Sequence, residues 1–342
     1  MKKELSLSKE ALLKGQVIAF PTETVMGLGV LFDDEEAYSL LNKIKRRPED
    51  KPYTLMLGDV GDIEKYAYLT LRDRLAISKF MPGPFTVLLK SKQNVPGYVT
   101  HNTGVIGIRV PDFKEIQEMI NYVGKPLLVP SANRSGEKPF VNYQDVANEF
   151  GAELGYIYPQ NALGEKPSTI IDLTSDKIIV VRQGKISLED IEKELVMLKV
   201  AVGSDHGGFE AKEKLIKHLK NEGVEVIDCG TNSLDSCDYP VYGAEVAKNV
   251  ANKVADYGVV ICTSGEGIMM AANKVKGIRC GLGYNDEVSK LMRQHNDANM
   301  IAFGAKFMNV EEINKRVDIF LSTKFEGGRH ERRVDIIKSL EK

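Results

Sequence analysis

No part of this 342-residue chain restricts the fold as tightly as the run from Tyr257 to Lys274. Val259-Val260-Ile261 is an unbroken β-branched run without a polar face, the pattern of a parallel strand covered on both sides. It ends in Cys262, and Thr263-Ser264-Gly265-Glu266-Gly267 then turns into a helix that opens with small and apolar residues. In open α/β sheets the ligand crevice lies beyond the carboxyl ends of the strands, so Cys262, Ser264, Gly265 and Gly267 stand where chemistry is usually done. The N–H groups of such a turn, with the positive end of a helix behind them, bind phosphate or a developing oxyanion and stabilise a thiolate. The bland reading is that Cys262 only fills a strand end, as buried free cysteines often do.

The same alternation runs through the whole second half. Apolar strands are expected at 200–203, 224–228, 259–261, 278–281 and 300–303, with helices opening at Phe209, Val241, Gly265, Asp286 and Glu311. That predicts an α/β unit with a doubly wound, Rossmann-like parallel sheet. Polar loops are expected at strand ends: 204–208, 238–240, 262–267 and 293–297. His206, His295 and His330 lie in polar segments, near Asp205, Arg329 and Arg333. One such histidine is ordinarily a surface residue. Three of them with a cysteine, an aspartate and an arginine cluster point to acid–base chemistry on a phosphorylated substrate.

The first half also alternates apolar strands with helices, and its chemistry sits on the connections. A strand ending at Phe20 is stopped by Pro21, and Thr22-Glu23-Thr24 offers a helix N-cap. Asp33 or Asp34 caps a helix whose apolar positions Ala37, Leu40, Leu41 and Ile44 fall at helical spacing, and Lys45-Arg46-Arg47-Pro48 follows it. Lys45, Arg47, Arg109 and Arg182 could clamp phosphates and a carboxylate, while Thr22, Ser131 and Asn133 could bond a small polar ligand. Singly, the basic run reads as a solvated helix end and Ser131-Ala132-Asn133 as a turn. No P-loop motif is present, so a nucleotide site here is of another type.

Length suggests two domains, 1–196 and 197–342. Ser187 with Asp190 caps a helix that runs almost directly into the strand at 200, with no Gly/Ser linker between them. Apolar content of 43% with 27% charged residues is that of a globular chain, and a net charge of −2 provides no bulk basic field for nucleic acid. The N-terminus has no apolar signal core and no run reaches membrane-spanning length, so the expectation is a cytoplasmic protein. Cys229, Cys237, Cys262 and Cys280 have no CxxC spacing, so reduced thiols are expected and a metal or disulfide framework is not.

Six linked motifs occur in one order in the first half: Phe20 to Gly29, Lys45 to Pro48, Pro82-Gly83-Pro84-Phe85-Thr86, Ile108-Arg109-Val110-Pro111, Ser131-Ala132-Asn133 and Pro167-Ser168-Thr169-Ile170. On these motifs residues 5–195 resemble the YrdC-like threonylcarbamoyl-AMP synthases. The resemblance implies a twisted α/β domain with a concave basic cleft. It also implies synthesis of threonylcarbamoyl-adenylate from L-threonine, bicarbonate and ATP, with magnesium, for modification of tRNA. Lys45, Arg47, Ser131 and Asn133 match the family's ATP-contacting tetrad, with Arg182 beside the nucleotide; Thr22 and Arg109 match positions near threonine. Downstream tRNA-modification proteins, and weak binding of tRNA itself, are the implied partners. Met26 stands where the family usually has tyrosine, so a stacking or hydroxyl contact is lost there.

From Leu198 onward the chain resembles ribose-5-phosphate isomerase B and the related LacAB-type isomerases. The residues that carry this are Gly203 to Phe209, Asp238-Tyr239-Pro240, Cys262 to Lys274, Arg293 to Asn299 and Glu326 to Arg333. The resemblance implies interconversion of ribose 5-phosphate and ribulose 5-phosphate without metal or organic cofactor. Asp205 and His295 match the pair that opens the furanose ring, Cys262 the base, and Asn296 with the Gly265–Ile268 backbone the enediolate holders. His206, Arg329 and Arg333 match phosphate ligands, and Tyr239 lines the sugar pocket. A homodimer is implied, with His295 and Arg329 donated across its interface. In members that use glutamate as base, that residue aligns with Ile268; Thr263 replaces a usual glycine, and Glu266 is expected to face solvent.

Taken together, the expectation is two enzymes in one chain. The rivals are a non-catalytic RNA-binding first half and a galactose- or allose-6-phosphate isomerase second half.

Overall fold

A computed structural model of the chain describes residues 2–46, 52–175, 178–195 and 198–341, and the chain divides into two compact units, Met1–Leu195 and Val196–Lys342. In the first unit the described residues form a ten-stranded mixed sheet. Its order is Ile179–Arg182, Thr169–Asp172, Phe85–Ser91, Val105–Arg109, Thr54–Met56, Leu127–Val129, Gly27–Leu31, Ile18–Phe20 and Tyr156–Ile157, with Ala67–Tyr68 paired to Phe85–Ser91 off this path. Successive side chains of a strand point to opposite faces, and both faces here are buried. Ile18 and Phe20 enter one core with Met56, Leu127 and Val129, whereas Val17 and Ala19 enter the other with Leu28, Leu55 and Leu128.

Two expectations in this unit are corrected. Thr22-Glu23-Thr24 does not cap a helix: the Thr22 hydroxyl accepts the Thr24 N–H (3.1 Å) and donates to Val25 O (2.7 Å), a tight turn feeding the strand Gly27–Leu31. Leu40 is 38% exposed on the helix Glu35–Lys45, whose buried stripe is Ala37, Tyr38, Leu41, Ile44 and Lys45. Asp34 is the N-cap, accepting the Ala37 N–H at 2.9 Å. The Leu188–Glu194 helix does carry a capping box between Ser187 and Asp190.

The second unit is a five-stranded, wholly parallel sheet in the order Glu225–Asp228, Lys199–Ser204, Tyr257–Cys262, Met300–Gly304, Cys280–Leu282. The chain steps from Lys199–Ser204 to one neighbour and then crosses to Tyr257–Cys262 on the other side. The topological switch point therefore lies beyond Ser204 and Cys262. The helices fall into two packed groups, as a doubly wound sheet requires: Tyr239–Ala251 with Glu266–Ala272, and Phe209–Asn221 with Val310–Ser322, Asp286–Asn296 and Arg329–Ser339.

Residues 293–297, expected as a loop, are instead the last turn of Asp286–Asn296, closed by Asp297 in the left-handed region (φ 46). The segment at 329–333 opens a helix as well. Only His330 and Val334 are buried along it, too weak a stripe for periodicity to reveal.

Candidate functional site

The cleft of the first unit gathers residues far apart in sequence. The turn at 22–24, the Gly27–Leu31 strand and the segments at 130–131 and 167–168 form its wall, with Met26, Arg109 and Arg182 among the lining residues. Lys45, the last residue of its helix, is 1% exposed. Its Nζ donates to Ser131 O (2.5 Å), Asn133 O (2.6 Å) and Asn133 Oδ1 (3.1 Å), and Ser131 Oγ donates to the same Oδ1 at 2.6 Å. Three of the four tetrad positions therefore meet in one hydrogen-bonded knot. The fourth, Arg47, lies outside the described residues.

Arg109 is buried with its guanidinium 2.7 Å from the Glu23 carboxylate, and it donates to Thr24 Oγ1 (3.0 Å) and Gly83 O (3.3 Å). Nothing in the sequence flagged Glu23 as its partner, because the turn that carries Glu23 and the strand that carries Arg109 are 86 positions apart. Arg182 is exposed and donates to Ser168 O and Oγ, and Ser168 Oγ is 2.9 Å from Thr86 Oγ1. Met26 is fully buried in the cleft floor, so an apolar thioether occupies that wall.

In the second unit one cluster forms at the switch point. The Asp205 N–H donates to Ile261 O, and its carboxylate accepts the Gly208 N–H at 3.0 Å, which holds it beside the end of the Cys262 strand. Cys262 is buried, and its sulfur accepts the Gly265 N–H at 3.1 Å. Gly265 has φ +84, which glycine adopts without strain, and a Cβ there would lie 2.8 Å from the Phe303 backbone. A Cβ at Gly267 would lie 2.6 Å from the Tyr239 ring, so the phenol packs directly on the turn. His206 Nδ1 accepts the Cys237 N–H (3.1 Å), so a neutral His206 carries its proton on Nε2. Glu266 is exposed, as expected, as is Ser264, while Ile268 is buried. Burial pushes the Cys229 thiol up to about 11 and Cys280 higher still.

The remaining residues form a second cluster elsewhere. The Asn296 and Asp297 carbonyls accept from Arg279, and Asn299 bonds Gly277 O, all at the starting edge of the strands Cys280–Leu282 and Met300–Gly304. Register pairs Gly258 with Met300 and Cys262 with Gly304. His295 and Asn296 thus lie roughly 13 Å of strand away from Cys262, at the opposite end of the sheet. His295 stacks on His330 with ring centroids 4.1 Å apart and planes within 1°. Arg329 Nε donates to His330 Nε2 at 3.2 Å, and Arg333 follows one helical turn later. Within one protomer, Asp205 and His295 do not meet.

His295, Glu326 and His330 bring three ligand atoms within 4.8 Å of one another. An imidazole lone pair lies in its ring plane, and two parallel planes do not meet. No single ion can therefore sit on both lone pairs in this arrangement, and the Arg329 N–H already points at one of them.

Both units have known relatives. Residues 10–184 match the Sua5/YciO/YrdC family model, described as telomere recombination, and residues 200–337 match the ribose/galactose isomerase model. Ribose-5-phosphate isomerase B of Escherichia coli K12 is 45% identical over 145 residues, which is 42% of this chain and 97% of that protein. A Methanocaldococcus jannaschii protein, provisionally named threonylcarbamoyl-AMP synthase, is 34% identical over 193 residues, covering 56% of this chain and 91% of its own length. The crystal structure of E. coli YciO superimposes with a TM-score of 0.53 at 26% identity, covering 56% of this chain and 94% of that one. Among the described residues no helix is long and apolar enough to cross a membrane. The chain therefore belongs to two families at once, a Sua5/YciO/YrdC domain followed by a ribose/galactose isomerase domain.

Proposed function

We propose that the chain is a bifunctional enzyme: an L-threonylcarbamoyladenylate synthase joined to a ribose-5-phosphate isomerase. For the second unit, the observation that carries the reading is Cys262 at the switch point, with Asp205, His206 and Tyr239 around it and the Gly265 N–H on its sulfur. In ribose 5-phosphate the C1–O4 hemiacetal bond opens first; O4 gains a proton as the O1 proton leaves, with His295 and Asp205 as the acid–base pair. The Cys262 thiolate then removes the C2 proton, giving an enediolate. With the O2 proton passed to O1 and the C2 proton returned to C1, the ketone stands at C2 with no net redox change. Asn296 and the N–H groups of the 265–268 turn hold the enediolate charge. His206, Arg329 and Arg333 hold the phosphate.

These roles require His295, Asn296 and Arg329 to reach a Cys262 they do not meet within one protomer. The working unit is accordingly a homodimer through the second unit, each site taking its second cluster from the other copy.

In the first unit, Lys45 gathered with Ser131 and Asn133, beside Arg109 and Arg182, supports nucleotide binding. Threonine's amine condenses with bicarbonate to a carbamate as water leaves, and the carbamate oxygen displaces pyrophosphate from the α-phosphorus of ATP. Lys45, Arg47 and Arg182 offset the phosphate charge, while Arg109 and Thr22 receive threonine. Among the described residues the cleft wall carries no carboxylate, and Glu23 behind it faces Arg109. Magnesium would arrive on the phosphates of the nucleotide. The adenylate would pass to tRNA-modification proteins, with tRNA itself held only weakly.

The test is pyrophosphate release from ATP, magnesium and bicarbonate with and without L-threonine, alongside conversion of ribose 5-phosphate by the same preparation. Threonine-independent or absent release, with the isomerase active, would leave the first unit a binding module. Preference for a hexose 6-phosphate would redirect the second.

A further inference from the structure

We infer that His330 is a positioning residue for ring opening: its buried imidazole fixes the plane in which His295 presents its proton to the sugar. The inference rests on the isomerase reading above, in which His330 has no role. His295 ends a helix and is only half-buried, so its ring would ordinarily rotate about χ2. Here it lies flat against His330, 4.1 Å away and within 1° of parallel. His330 is anchored on its own account: it is 5% exposed, its main-chain N–H donates to Gly327 O at 3.0 Å, and its ring Nε2 accepts from Arg329 Nε. The Glu326 N–H donates to Gln294 O (3.0 Å), which ties the segment carrying His330 to the helix carrying His295. The Glu326 carboxylate lies 3.8 Å from His295 Nε2 and 3.9 Å from His330 Nε2, close to both rings without a hydrogen bond to either. Donation from Arg329 leaves a neutral His330 with its proton on Nδ1, so the buried ring serves as a platform and its Nε2 is not free to act as an acid.

Ring opening can be separated from the proton transfer between C1 and C2. Ribulose 5-phosphate has its O5 esterified and stays open-chain, so exchange of its C1 proton with deuterium oxide needs Cys262 and no ring chemistry. His330→Ala should lower kcat on ribose 5-phosphate about 10- to 100-fold with KM little changed, while C1 deuterium wash-in into ribulose 5-phosphate stays near wild type. His330→Phe keeps a flat ring in the buried site and should recover much of the forward rate; it also controls for folding. Equal loss of both reactions in the folded His330→Phe protein, or an unchanged forward rate in His330→Ala, would overturn the inference. If the wild-type chain itself shows neither reaction, the isomerase reading fails instead, and the two failures are told apart.

Discussion

The two units gather their charged and polar groups in different ways. In the first, a mixed sheet buried on both faces brings the ends of distant strands to one cleft, so Lys45, Ser131 and Asn133 bond one another inside a single fold. In the second, a parallel sheet has its strand ends and its returning helix ends on opposite edges. Cys262 and Asp205 occupy one edge, His295 and Arg329 the other. A site that needs both edges, as the proposed isomerase site does, would be completed by a second copy. The first activity should therefore be indifferent to self-association and the second wholly dependent on it.

The largest effects should come from separating the two sites. Cys262→Ala should lower isomerisation by about 1,000-fold or more and leave threonine-dependent pyrophosphate release unchanged; parallel loss of both in coupled assays would mean the units do not act separately. Lys45→Ala should do the reverse, cutting pyrophosphate release by roughly 100-fold while isomerisation persists. A sharper test mixes subunits. Cys262→Ala and His295→Ala chains are each inactive as isomerases, yet half of randomly mixed dimers carry one intact composite site, so about a quarter of wild-type activity should return. No recovery from co-expressed chains would mean that each site is built within one protomer.

A smaller effect concerns the second unit alone. His218 bonds Asp318 at 2.9 Å between the helices Phe209–Asn221 and Val310–Ser322, and the hydrogen bond its imidazole donates to the Asp318 carboxylate raises its pKa above the ordinary value of 6.5. A raised folded pKa contributes stability that is complete below the unfolded value and is lost as pH rises through the folded one. The melting temperature of this unit should fall by about 2–4 °C as pH is raised from 6 past that folded value, for a contribution of about 1 kcal/mol. His218→Gln should flatten that slope; an equally steep slope in the variant would place the titration elsewhere.

Much of the fold was legible along the chain because the relevant signals are local. Val259-Val260-Ile261 declares a covered strand through its β-branching, and Asp34 and Ser187 cap their helices by hydrogen bonds three residues long. The misses have physical causes. Thr22-Glu23-Thr24 has cap chemistry, but the same hydroxyl closes a turn equally well, and the sheet decided between them. Residues 293–297 and 329–333 are too polar for periodicity to distinguish a helix end from a loop. Cys262, Asp205 and Lys45 were identifiable as site candidates from their motifs, whereas Glu23 against Arg109 and His330 against His295 carry no sequence signal: neither contact is local.

The sequence by itself determined the residue types, the strand–turn–helix punctuation and the two families the chain joins, since each rests on neighbours within a few positions. Only the tertiary structure decided which of those residues share a site. Strand register and the antiparallel return of each helix set which end of the sheet a side chain occupies, and that placed His295 a full strand away from Cys262 while it drew Lys45 onto Asn133.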